Sequence, residues 1–255
     1  MLRVEGLSRR FGGVYAVRDV SLQVGPGELR GIIGPNGAGK STLFHLVAGH
    51  LRSNAGRVLL RGVPIDGLRP DQRAKRGVAI VHQGAQVFRR MSVLENVMVG
   101  AHCRTRHGFL EAALGLPRCR REDREVRARA EHLLGEVGLG DLGDAAAESL
   151  PLGQQRSMQL ARALCSEPAV LLLDEPASGL RATERSQFAR LIRNLREKGL
   201  TLLLIEHDVA LVTSLCDTIT VLDLGRVIAE GPPSEIRENP AVITAYLGPA
   251  EVTAP

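Results

Sequence analysis

The nine residues Gly34-Pro35-Asn36-Gly37-Ala38-Gly39-Lys40-Ser41-Thr42 constrain this chain more than any other segment. They fit the pattern GxxxxGK[ST] and stand between an apolar run at 31–33 and a helix-like run at 43–48. Motif and flanks together predict a strand, a tight loop and a helix, in that order. Three glycines let the loop curl with its N–H groups inward, and the helix behind it adds the positive end of its dipole, so the loop forms a nest for a polyphosphate. Lys40 then reaches the β and γ phosphates, the Ser41 hydroxyl serves Mg2+, and Thr42 bonds a phosphate from the next turn.

A phosphate nest is shared by many reactions, and the groups opposite it select one. The apolar run at 170–173 ends in Asp174-Glu175, which reads as a buried strand delivering Asp174 to the loop, where it can hold Mg2+ through water. Glu175 is placed to orient and deprotonate a water for attack on the γ phosphate. Gln83 follows the apolar run 78–81, and His207 follows 200–205. From those strand ends Gln83 can enter a Mg2+ sphere or meet the attacking water, and His207 can touch the γ phosphate. Taken alone, each of these two reads equally as an ordinary loop residue.

Short β-like runs alternate with helical ones along the chain, the rhythm of helices packed on a largely parallel sheet. An antiparallel piece comes first, with strands at 2–7, 20–24, 29–33 and 58–60 and turns at 25–27 and 54–56; further strands fall at 78–81, 169–174, 200–206 and 218–223. From about 84 to 164 the strand signal fades. There Val126, Ala130, Leu133, Leu134 and Val137 recur at the steps of one buried helix face, and Phe188, Leu191, Ile192 and Leu195 form a second such stripe.

The 255 residues are 44% hydrophobic and 24% charged, which excludes disordered, collagen-like and disulfide-scaffold classes. A net charge of +5 favours acidic ligands or an anionic membrane face. No apolar run approaches the roughly 20 residues that cross a bilayer. The first residues lack the apolar core of a signal peptide, and Cys103, Cys119, Cys165 and Cys216 are scattered as in a reducing compartment. These features predict a cytoplasmic location. The arginines at 118, 120, 121, 124, 127 and 129, interleaved with acids, read as a solvated helix with internal pairs rather than a lipid contact.

Residues 34–42, then Gln83, then Leu150-Pro151-Leu152-Gly153-Gln154-Gln155-Arg156 ahead of Asp174-Glu175, then His207 resemble the ATP-binding cassette (ABC) family over almost the whole chain. The resemblance implies an α/β phosphate-loop NTPase cassette with a mostly parallel sheet core, an antiparallel β subdomain and a helical subdomain. It forms one domain, with the core and β subdomain at 1–83 and 165–247, the helical part at about 84–164, and a tail at 248–255. It implies Mg2+-dependent ATP hydrolysis, with catalytic Glu175, His207 and Gln83, metal ligands Ser41, Gln83 and Asp174, and nucleotide sandwiched between two cassettes. Ser178-Gly179-Leu180 then corresponds to the loop that crosses the dimer interface. Phe11 stands 29 residues before Lys40, where the family stacks an aromatic on adenine; Tyr15 is a second candidate, and a core role for Phe11 is the plain alternative.

Family signatures read Leu-Ser-x-Gly-Gln, whereas position 151 here is proline. Proline removes both the hydroxyl and an N–H that would donate to a γ phosphate across the dimer, while Gly153 and Gln154 remain. At a helix start Pro151 is sterically acceptable. The expectation is a dimer with a different cassette whose intact signature completes the site on Lys40 and Glu175, a homodimer being the other possibility.

Phe11-Gly12-Gly13, the run Met91-Ser92-Val93-Leu94-Glu95-Asn96-Val97, the extended segment at about 101–125, Ile205-Glu206-His207-Asp208 and the ending through Ala245-Tyr246-Leu247-Gly248 look like the ATP-binding subunits of bacterial branched-chain amino acid importers. This implies two transmembrane permease subunits, a periplasmic or extracellular solute-binding protein, and a peripheral place on the cytoplasmic face of the membrane. The ATPases of lipopolysaccharide export resemble it less, and a soluble nucleic-acid-associated cassette or a non-hydrolysing regulatory subunit fits less well still; no nucleic-acid partner is expected. Residues 83–91 would form the groove for a permease coupling helix, with Val87, Phe88 and Met91 exposed for it, although Phe88 and Met91 also suit a core.

Overall fold

The computed structural model describes residues 1–84, 86–104 and 117–247. Part of the extended segment read at 101–125 and the whole tail at 248–255 lie outside the described residues. Strands β1 (Leu2–Phe11), β2 (Val14–Val24), β4 (Ala55–Leu60) and β5 (Val63–Pro64) form an antiparallel sheet in the order β2-β1-β4-β5. The second sheet contains β3 (Leu29–Ile33), β6 (Val78–Val81), β7 (Val170–Asp174), β8 (Thr201–Ile205), β9 (Thr218–Asp223) and β10 (Arg226–Gly231), in the order β10-β9-β3-β8-β7-β6. Pairing from β9 through β6 is parallel, and β10 closes one edge antiparallel to β9.

β3, β6 and β9 have the bounds expected from their apolar runs, but β3, expected in the antiparallel piece, is a central strand of the parallel sheet, paired with β8 and β9. β1 and β2 are longer than the expected 2–7 and 20–24, because each continues as a hairpin arm with polar or exposed side chains, Arg9, Arg10, Val14 and Tyr15 among them. A strand exposed on both faces lacks the alternation that marks it in sequence.

The described helices are α1 (Lys40–Ala48), α2 (Pro70–Lys75), α3 (Val93–Met98), α4 (Pro117–Glu136), α5 (Leu152–Cys165), α6 (Ala182–Glu197), α7 (Val209–Leu215), α8 (Pro233–Glu238) and α9 (Pro240–Leu247). They divide the apolar interior into three. Leu43, Phe44 and Val47 of α1 pack between the two sheets against Val4, Val17 and Leu172. Phe188 and Ile192 of α6 and Val212 of α7 cover the other face of the parallel sheet. Val93, Val97, Ala130, Leu134, Met158 and Ala161 form a separate helical core. Leu133 and Leu191 touch the second and third of these cores. The i, i+4 pairs Arg121–Glu125 and Arg127–Glu131 lie on the exposed side of α4, as a solvated face requires.

Two buried polar side chains fix loops that the site uses. Arg73 is 2% exposed, and its guanidinium donates to the carbonyls of Leu46 (2.8 Å), Val47 (2.6 Å), Asp66 (2.9 Å) and Leu68 (3.1 Å). It thereby caps the carbonyl end of α1, where a cation also suits the helix dipole, and ties that end to the loop after β5. Asn96 on α3 accepts from Phe88 N–H (3.0 Å) and donates to the carbonyls of Phe88 (3.1 Å) and Ser92 (2.9 Å). It thus pins the loop that precedes α3, a helix started by the reciprocal Ser92–Glu95 capping box.

Candidate functional site

Four neighbouring parallel strands end on one edge of the second sheet. β3 runs into the phosphate loop, β8 into Glu206 and His207, β7 into Asp174 and Glu175, and β6 into Gln83. Residues between 34 and 207 therefore meet because the sheet order β3-β8-β7-β6 puts their strands side by side, in the crevice where open α/β sheets bind ligands.

The loop is walled by backbone. Gly39 has φ +100°, and a Cβ there would collide with the Ala16 carbonyl, so no other residue fits without moving β2. Ala38 is buried and bonded through its carbonyl to Gly225 N–H (3.0 Å). Asn36, Gly37 and Ser41 are exposed; Pro35 and Thr42 are half-buried. Lys40 is buried, and its ammonium donates to the Gly34 (2.7 Å) and Pro35 (3.0 Å) carbonyls. Burial holds it below the ordinary lysine value, opposed by the Glu175 carboxylate. A cation folded onto its own loop is placed to turn to a phosphate anion.

Glu175 has φ +44°, a backbone conformation costing about 1–3 kcal/mol in a residue with a Cβ. The turn is held by Glu175 N–H on the Ile205 carbonyl (2.9 Å) and Ser178 N–H on the Glu175 carbonyl (3.1 Å). Its Oε2 accepts from Gln83 Nε2 (2.7 Å) and lies 3.6 Å from His207 Nδ1. The three residues named as catalytic thus converge on one carboxylate oxygen. Asp174 is half-buried, and burial pushes its carboxyl above the usual range, with His45 opposing and Glu175 adding to the rise.

Ser41 hydroxyl, Asp174 carboxylate and Gln83 amide form a set of hard oxygen donors, the kind Mg2+ prefers. They fit that ion, and the glycine-walled loop fits a phosphate chain.

Phe11 and Tyr15 lie on the β1–β2 hairpin, 47% and 44% exposed, so the core reading of Phe11 is overturned. Each carries an arginine on its ring, Arg9 at 4.6 Å and Arg18 at 5.3 Å from the centroids. Pro151 is the N-cap of α5 and makes no side-chain cap bond. Gly153 and Gln154 follow on the first turn, half-buried, beside a 670 Å³ cavity bordered by Glu184 and Phe188.

In the groove, Phe88 and Met91 are exposed rather than core. Val87 departs from its expected exposure, being half-buried against the helical core. Arg162 lies 5.2 Å from the Phe88 ring centroid and donates to the Gln86 carbonyl (2.6 Å). Sequence reasoning missed Arg73, Asn96 and Arg156, whose burial depends on tertiary placement, and placed Glu206 at a strand end without a role.

This arrangement defines an ABC-type ATPase cassette, and the chain belongs to the ABC transporter family, whose model matches residues 17–178. Residues 226–248 match the carboxyl-terminal model described as branched-chain amino acid ATP-binding cassette transporter. Among similar proteins are the high-affinity branched-chain amino acid transport ATP-binding proteins BraF of Pseudomonas aeruginosa and LivG of Escherichia coli, each 41% identical over 98% of both chains. The lipopolysaccharide export ATP-binding protein LptB of Escherichia coli is 35% identical over 97% of both. A solved nucleotide-free ATP-binding cassette of an ABC transporter superimposes with TM-score 0.84 at 30% identity, covering 96% of this chain and 98% of the other. An ADP conformation of such a cassette gives the same TM-score and identity over 97% and 98%. Among the described residues no helix is long and apolar enough to cross a membrane.

Proposed function

We propose that this chain is the ATP-hydrolysing subunit that powers import of branched-chain amino acids. The observation that carries the chemistry is the convergence of Gln83 and His207 on Glu175 Oε2 at the strand ends beside the phosphate loop. Held on one oxygen, the carboxylate keeps the other to accept from a water and take its proton. Lys40 leaves the Gly34 and Pro35 carbonyls for the β and γ phosphates, and the loop N–H groups hold the phosphate chain. Phe11 or Tyr15 stacks on adenine. Ser41, Asp174 and Gln83 would hold Mg2+, which when bound would neutralise charge on the phosphates.

The import reading rests on the relatives' names and on the match at 226–248. It brings a second cassette, two transmembrane permeases received at Phe88 and Met91, and a solute-binding protein, and it sets the chain on the cytoplasmic membrane face. Pro151 makes the second cassette a different chain whose signature completes the site on Lys40 and Glu175. The test is uptake of labelled leucine, isoleucine and valine by proteoliposomes carrying the assembled transporter and ATP. Uptake abolished by Glu175→Gln supports the reading; export of another solute, or uptake indifferent to that substitution, overturns it.

A further inference from the structure

Two charged side chains close to the site are almost wholly buried, Glu206 and Arg156. Glu206 is 1% exposed and directly precedes His207. Its Oε1 accepts from Ala177 N–H (3.0 Å), which fixes the start of the turn leading to Ser178-Gly179-Leu180. Its Oε2 lies 3.8 Å from His207 Nδ1. Arg156, 4% exposed on α5, donates through Nη1 to the His82 carbonyl (3.2 Å) and to Gln159 Oε1 (3.3 Å), while its buried Nε has no acceptor. Gln159 in turn donates to the Gly84 carbonyl (2.7 Å), so α5 grips the backbone on both sides of Gln83. Burial raises the Glu206 carboxyl above its ordinary value and lowers the Arg156 guanidinium, and each influence is opposed, for Arg156 by Glu206 itself.

An apolar or amide side chain would meet the packing needs at either position without the desolvation of a charge. What the charges add is a link. Glu206 touches the Ala177 turn and the Nδ1 edge of His207, and His207 touches Glu175; Arg156 touches the Gln83 loop and rides on the helix that Pro151 begins.

We propose that Glu206 is a positioning residue for the hydrolytic step, holding His207 in register on Glu175, while Arg156 does the same for the loop that carries Gln83. The proposal rests on the ATPase reading above. Glu206→Gln keeps the shape and the oxygen for Ala177 N–H and removes only the charge, so a merely structural role leaves turnover unchanged.

The test is phosphate release as a function of ATP concentration for the assembled transporter carrying Glu206→Gln, Arg156→Met or both, with Glu175→Gln as control. The expected result is a loss in kcat on the order of tenfold to hundredfold in each single variant. The KM for ATP stays within about twofold, and the double variant is no slower than the slower single one, as for two ends of one device. Wild-type kcat in Glu206→Gln, a loss confined to KM, or losses that multiply in the double variant would overturn it. Should Glu206→Gln not fold, Arg156→Met carries the same kcat-against-KM criterion. A wild-type assembly that releases no phosphate overturns the ATPase reading and this proposal together, whereas full turnover in Glu206→Gln overturns this proposal alone.

Discussion

The phosphate loop and the signature segment are both glycine-containing helix starts, yet they are built differently. Around Gly39 the obstacles to a side chain are carbonyl groups of the sheet scaffold, and the helix that follows is packed between two sheets and capped at its far end by Arg73. Around Gly153 the nearest obstacle is the Glu184 carboxylate, 2.7 Å from an added Cβ, a side chain that caps α6 by accepting Arg181 N–H (2.9 Å). Pro151 caps α5 without a side-chain bond. One start is walled by backbone, the other by a side chain.

The largest test of that contrast is Gly39→Ala. It forces a Cβ into the Ala16 carbonyl at a positive φ, so ATP affinity measured by calorimetry falls beyond detection while the rest of the sheet persists by circular dichroism; retained affinity would erase the distinction between the two starts. Next is Glu175→Gln, for which phosphate release drops about 10²- to 10⁴-fold with ATP affinity intact. A parallel loss of affinity would mean that the carboxylate holds nucleotide rather than readies water. Pro151→Ser sharpens the other side. In a transporter with a distinct second cassette it alters turnover by no more than about threefold, since the site on Lys40 and Glu175 is completed by the other chain; a fall as deep as that of Glu175→Gln breaks this division. Gly153→Ala leaves the chain's own ATP affinity unchanged and its thermal midpoint level or slightly lowered, because the added Cβ displaces the Glu184 cap of α6 and offsets the up to ~1 kcal/mol by which alanine favours a helix.

The sheet side also carries a pH dependence. Asp208 caps α7 by accepting Leu211 N–H (3.0 Å) and pairs with Arg185 (2.6 Å). These contacts, the Leu211 N–H first, hold its carboxyl below the ordinary value. A depressed folded value means stability present above the unfolded value and lost as pH falls through the folded one. Asp208→Asn should therefore cost about 1 kcal/mol at neutral pH, and its melting curve should merge with that of the wild type as the solution is acidified past that depressed value.

Much of the cradle was readable because its residues are contiguous: the nest needs Gly34 to Thr42 in one stretch, and a continuous apolar run betrays the strand under Asp174. Gln83 and His207 were readable as candidates only, since their meeting on Glu175 depends on β6 and β8 flanking β7, which no local pattern encodes. Arg73, Arg156 and Glu206 escaped for a related reason. In sequence Arg73 and Arg156 stand in polar company and Glu206 ends an apolar run ahead of His207 and Asp208, and only the packing of α5 on the sheet, of α1 against the loop after β5 and of the Ala177 turn on β8 shows that water is excluded from them. Val87 escaped by the reverse error, an apolar residue in a loop assigned to the groove although the helical core needs it.

The open hairpin bearing Phe11 offers a practical handle. The chain contains no tryptophan, so Phe11→Trp would install a lone indole on a ring site 47% exposed, a fluorophore whose quenching on adding ATP, set against that of Tyr15→Trp, would tell which ring the purine meets.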